Sequence, residues 1–166
     1  MEIRVLEPAD AEIYRELRLN SLVESPESFL TTYEIEGERP IEQTRQRLQA
    51  ADSIFTLGAF KNHDLIGVVT FVRESHIKTA HKGNVYAMYV SPEYRGQGIG
   101  KALVNELLRK AKNGDGLEQV NLTVNSSNTQ AKRMYESIGF ATYGTERNAS
   151  KWKGQYWDED LMVIKL

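Results

Sequence analysis

The chain has 166 residues, a formal net charge of −2, 40% hydrophobic and 27% charged residues, and no cysteine. This length fits one domain, residues 1–166, with a core of its own, and the near-neutral charge gives no reason to expect a nucleic-acid partner. No apolar run approaches the roughly 18 residues of a membrane span, and the lack of cysteine removes disulfides, thiolate metal ligands and a cysteine nucleophile together.

Met1-Glu2-Ile3-Arg4-Val5 lacks the charged-then-apolar pattern of a secretion signal, so a cytoplasmic protein is expected. Ile3–Leu6 reads as a first strand. Pro8 and Asp10 turn it into a helix over about 9–24, with Ile13 and Leu17 repeating at i, i+4, and Ser25-Pro26 stops that helix. Residues 25–40 read as irregular, and a second helix follows over about 41–50. Ser53–Phe60 and Leu65–Val72 form a hairpin across Asn62-His63, and 74–83 read as a loop. Asn84–Val90 is a strand ended by Ser91-Pro92, and a helix runs from about Gly98 to Lys112. After the break at Asn113-Gly114-Asp115-Gly116, Gln119–Val124 alternates as a strand, and Asn128–Ile138 is a helix closed by Gly139. Residues 140–166 read as two strands joined near Lys153-Gly154. His63, His76 and His81 lack zinc-ligand spacing, so no metal is expected.

The most informative stretch joins the strand ending at Val90 to the helix opening near Gly98. Gly96, Gly98 and Gly100 let the backbone approach a ligand with no Cβ in the way. The first helical amides have no partner within the helix, and the helix dipole adds positive potential there. Together they form an anion site suited to a pyrophosphate, with Arg95 and Lys101 at its mouth. Ala102 after Gly100-Lys101 removes the hydroxyl that a Walker motif requires, and the glycine spacing departs from the dinucleotide fingerprint. Packing alone is the other reading of these glycines.

Arg95-Gly96-Gln97-Gly98-Ile99-Gly100, preceded by Tyr89-Val90-Ser91-Pro92-Glu93-Tyr94, resembles the Arg/Gln-x-x-Gly-x-Gly/Ala signature of the GNAT superfamily of acyl-CoA-dependent N-acyltransferases. Downstream, Asn128, Ala131 and Tyr135 resemble its Asn-x-x-Ala-x-x-x-Tyr helix with the Gly139-Phe140 exit. The resemblance implies an α/β fold: a mixed, largely antiparallel sheet of about seven strands with four helices. It implies acetyl-CoA as cosubstrate and an amine as acceptor, with direct transfer in a ternary complex. The strand at 84–90 would splay from that at 119–124 and admit the pantetheine arm against Met88, Tyr89 and Val90. The pyrophosphate would lie on Arg95, Gly96, Gln97, Gly98, Ile99, Gly100 and Lys101, and Asn128, Ala131 and Tyr135 would close the site. An N–H near Met88 would polarise the thioester carbonyl.

The same resemblance makes Tyr135 the general acid towards the leaving thiolate, with an ordinary phenol pKa near 10 setting an alkaline limb; the plain alternative is a core tyrosine. The family's usual glutamate falls at Asn84, which cannot act as a base, so Glu27, Glu34, His76 and His81 stand as substitutes beside water relays. Residues 22–36 resemble a variable acceptor-side region. Tyr156 or Trp157 either lines the acceptor pocket or plugs the sheet end. The rival functional reading is a non-catalytic acyl-CoA sensor with the same fold. The oligomeric state is left open, a homodimer among the options.

Overall fold

The computed structural model describes residues 1–166. Alternating apolar residues set its strands: β1 (Glu2–Val5), β2 (Ile54–Lys61), β3 (Asp64–Arg73), β4 (Lys82–Val90), β5 (Gln119–Asn125), β6 (Ala141–Trp152) and β7 (Gln155–Lys165). They form one seven-stranded sheet in the order β1-β2-β3-β4-β5-β7-β6. Every neighbouring pair is antiparallel except β4 with β5. Two tight hairpins fix register. Asn62 and His63 (φ 50° and 74°) join β2 to β3, and Lys153 and Gly154 (φ 48° and 78°) join β6 to β7. Left-handed conformation at both central residues matches the right-handed twist of the flanking strands.

The helices are α1 (Ala11–Glu24), α2 (Tyr33–Glu38), α3 (Ile41–Arg47), α4 (Ile99–Ala111) and α5 (Thr129–Ile138). The stretch read as irregular therefore contains a short helix, started by Thr32, whose hydroxyl accepts from the Ile35 N–H at 3.3 Å. The buried stripe of α1 is Ala11, Tyr14, Leu17 and Ser21, whereas Ile13 is exposed. Of the repeat Ile13 and Leu17, only Leu17 is buried, beside Tyr14, because α1 lies over Leu6, Phe60 and Tyr89. β4 begins two residues earlier than the alternation suggested, because Lys82 and Gly83 pair with Gln119 and Val120.

Two cores cover the two faces of the sheet. On one, the α4 residues Leu103, Val104 and Leu107, all fully buried, pack on Phe55, Phe71, Val85 and Leu122. On the other, α1 packs on Val68 and Tyr89. Gly83 belongs to the first core: a Cβ there would stand 2.2 Å from Phe71, whose ring stacks on Phe55 at 5.1 Å.

Two irregularities in β4 open the sheet. Its pairing with β5 stops at Asn84↔Asn121, so the strands separate beyond that point. Between Val68↔Tyr89 and Thr70↔Tyr86, Val69 alone faces Ala87 and Met88, which is a β-bulge. Ala87 has φ 52°, a left-handed conformation rare for a residue with a Cβ. The extra residue reverses the alternation. Tyr86 and Tyr89 thus both face α1, while Met88 and Val90 pack with the α4 core.

Candidate active site

Where β4 and β5 part, a cleft of about 1030 Å³ runs from the glycine turn through the sheet to the segment after α1. Met88, Tyr89, Val90, Arg95, Gly96, Gly98, Ile99, Gly100, Lys101, Asn128, Ala131 and Tyr135 all line it. Gln97 does not; its side-chain amide donates to the Glu93 carbonyl at 3.3 Å.

The turn leaves both space and free backbone amides at the start of α4. Gly96 and Gly98 have φ of 75° and 79°, and a Cβ at either would meet nothing within 4 Å. Gly98 caps α4 with no side chain on the helix amides, no acid lies in the first turn, and the first helical bond in the turn is Ala102 N–H to Gly98 O. The amides of Ile99, Gly100 and Lys101 therefore precede the helical ladder and are available to an anion. Gly100 differs. Its Cβ would stand 2.9 Å from both Met134 Sδ and Met88 Cε, so this glycine lets α4 close onto β4 and α5. A Gly98→Val variant should consequently weaken acetyl-CoA binding about tenfold or more, since both a strained φ and a side chain would intrude on the cradle. Unchanged affinity by calorimetry, with the fold intact, would remove the cradle assignment.

The two cations at this mouth are not equivalent. Lys101 enters none of the chain's ion pairs. Arg95 is held by Glu24 through two bonds of 3.0 and 2.7 Å, donates to Val90 O at 2.9 Å and lies 5.4 Å from the Tyr89 ring. The Arg95 guanidinium holds the Glu24 carboxyl below its usual range. This pair ties the end of α1 to the end of β4, and its charge is already balanced.

Tyr135 is positioned by helix termini. Asn128 caps α5, its Oδ1 accepting from Ala131 N–H at 3.1 Å. Gly139, at φ 119°, ends the helix, and Phe140 N–H reaches back to Tyr135 O at 3.1 Å. The Phe140 ring then meets that of Tyr135 edge-on at 5.7 Å. Burial pushes the Tyr135 phenol well above its ordinary value, so the alkaline limb expected near 10 moves out of the working range.

Asp160 fastens α5 to the sheet. Its Oδ1 accepts from Ser126 Oγ at 2.7 Å and Thr145 Oγ1 at 2.8 Å, and its Oδ2 pairs with Lys132 Nζ at 2.5 Å. These partners, Lys132 foremost, lower its pKa to about 2. A depressed carboxylate pKa adds stability that is complete above the unfolded value of about 3.9 and is lost as pH falls through the folded one. An Asp160→Asn variant should therefore be less stable than the parent at pH 7 in urea melts. The difference should shrink as pH falls from about 4 towards 2.

The candidate bases read from the sequence are scattered. Glu27 lines the cleft, and Glu34 borders a separate cavity of about 480 Å³. His76 and His81 lie in the β3–β4 connection, away from both cavities. Asn84 donates to Glu74 at 2.7 Å, also outside the lining. Trp157 borders the smaller cavity with Trp152 and Phe29, while Tyr156 is exposed.

Three acids absent from that set line the cleft; arginines hold Glu24 and Glu36, and Glu159 is in no ion pair. Glu159 on β7 pairs in register with Asn125 of β5 and Glu146 of β6. Burial, then the Glu146 charge, raises its pKa, against the opposing bond from Thr123. Asn84↔Asn121 and Asn125↔Glu159 place Tyr86, Thr123 and Glu159 on the same face as Tyr89, the face of α1. An acid between Trp157 and Leu161 on one strand face was the available signal.

The sequence model of the Acetyltransferase (GNAT) family matches residues 17–140. The mycothiol acetyltransferase of Nocardiopsis dassonvillei is 44% identical over 64 residues, 39% of this chain and 19% of that protein. The match thus spans about a fifth of that relative's length. The L-amino acid N-acetyltransferase AaaT of Escherichia coli is 24% identical over 162 residues, 97% of this chain and 95% of that one. Among solved structures, a GNAT-family acetyltransferase from Streptococcus pneumoniae superposes with a TM-score of 0.83 at 23% identity, covering 99% of both chains. The yncA protein of Salmonella typhimurium, with its cofactor acetyl-CoA, gives 0.81 at 19% identity over 100% of this chain and 94% of that one. At such identities these structures establish a shared fold.

Proposed function

This chain belongs to the GNAT acetyltransferase family and is an acyltransferase, and on that premise we propose that it moves an acetyl group from acetyl-CoA to a primary amine of a small molecule or peptide by direct attack. The observation that carries this reading is the opening between β4 and β5. It joins an anion cradle and Tyr135 on the α4 face to a chamber containing Glu159 on the α1 face.

Each chemical need then has a residue. The glycine-turn amides and Lys101 hold the pyrophosphate. The bulged end of β4 aligns the pantetheine arm, and the Met88 N–H polarises the thioester carbonyl. A lysine-like ammonium, with pKa near 10, must lose a proton before it attacks. Glu159 takes it, directly or through one water, because a raised pKa makes a carboxylate a stronger base. The amine nitrogen bonds the acyl carbon, the C–S bond breaks, the departing sulfur receives a proton from Tyr135, and the second proton that the nitrogen sheds in becoming an amide returns through water to the Tyr135 phenolate.

The chain has no cysteine to carry the acyl group, which favours binding both substrates together. Thiol release from acetyl-CoA across a panel of amines, amino acids, aminoglycosides and peptides should exceed the enzyme-free rate and follow ternary-complex kinetics. Isolation of an acyl-protein that passes its acyl group to the amine would overturn direct transfer. Acetyl-CoA binding without thiol release over the whole panel would overturn the transferase reading in favour of sensing.

A further inference from the structure

Resting on the reading of this cleft as an amine-acetylating site, we propose that the acceptor carries a carboxylate beside its amine, as an α-amino acid does, and that Arg18 and Thr31 receive that carboxylate. Arg18 lines the cleft from α1, on the face that holds Glu159. Its guanidinium lies 4.4 Å from the Phe29 ring centroid, and Phe29 in turn lies 6.4 Å from the Tyr89 ring at the end of β4. The aromatic contact fixes the guanidinium within the chamber that faces the acyl-transfer position.

The neighbouring arginines are already satisfied. Arg39 and Arg47 share the buried Glu36 at 3.0 and 3.1 Å, and Arg95 has Glu24. Arg18 enters no ion pair, and its buried Nη1 donates to no protein acceptor. The Thr31 hydroxyl, also buried in the lining, has no partner either. A buried donor is costly to leave unpaired, and a guanidinium's natural partner is a carboxylate. The chamber is therefore polar in an ordered sense, with Glu159 for the cationic end of an acceptor and Arg18 for an anionic end. That order complements a zwitterion and disfavours a polyamine, whose second cation would meet Arg18. The chain's own rivals for Arg18 are Glu27 and Glu36, which line the same cleft, the Glu36 Oε2 accepting no hydrogen bond.

The test pairs each standard L-α-amino acid with its carboxamide in the thiol-release assay, on the parent and on Arg18→Gln. The parent should prefer the acid about 10–100-fold in kcat/KM, the range for loss of a hydrogen bond to a charged group. Arg18→Gln should bring that ratio close to one, and Arg18→Lys should restore part of it. Acid and amide used equally by the parent would sink the proposal while leaving the transferase reading intact. So would an unchanged ratio in Arg18→Gln accompanied by lost thermal stability, which would make Arg18 a partner of Glu27 or Glu36. A binding arm needs no turnover: N-acetyl-amino acids titrated onto the CoA-bound parent should bind saturably, and their carboxamides should not. Absence of that binding overturns the proposal, whatever the assay gives.

Discussion

A Glu159→Gln enzyme is expected to turn over about 10²–10⁴-fold more slowly than the parent near pH 7, the usual contribution of a general base. Only the carboxylate form accepts the amine proton. Burial and Glu146 raise the Glu159 pKa, so the parent's acidic limb should lie above the ordinary glutamate value. The variant should lose that limb and keep the dependence on free amine alone. Its rate should then rise about tenfold per pH unit and approach the parent's near the amine's own pKa of about 10. Glutamine preserves size and hydrogen bonding, so acetyl-CoA affinity should hold. A variant that matches the parent at pH 7 would show that the proton leaves by another route, and Glu27 would be next to test.

Tyr135→Phe should lower turnover by about 10²-fold, the lower end of general-acid effects, because a thiolate leaves fairly well unaided. The ring, its edge contact with Phe140 and its place in the core all survive the change. Stability and acetyl-CoA affinity should therefore move little. The pH profile carries the sharper discrimination. The buried phenol stays protonated beyond its ordinary range, so the active form persists as pH rises and Tyr135 imposes no alkaline limb below about pH 10. Parent and variant profiles should run parallel, offset by a constant factor. Equal turnover at every pH would reduce Tyr135 to a packing residue and leave water as the proton donor.

The order of strands and helices, the glycine cradle, the Asn128 cap and Tyr135 were legible in the sequence because each rests on local chemistry. Left-handed glycines, orphan amides and a 3.6-residue stripe act over a single turn or strand. The proposed base, the proposed acceptor side and the Arg95–Glu24 ion pair were not. Arg95 meets Glu24 across 71 residues, and Glu159 reaches the cleft only through its register with Asn125. No local pattern states which strand lies beside which, or where a pairing ends. The end of the β4–β5 ladder at Asn84 and the bulge at Ala87–Met88 decide what faces the cleft, and a shift of one residue would send Tyr89 to the opposite core. The sequence by itself determined a strand, a glycine cradle and a tyrosine-bearing helix in the order an acyl-CoA site needs. Only the tertiary structure decided which charges share the chamber, because side chains distant along the chain meet there through sheet register and helix packing.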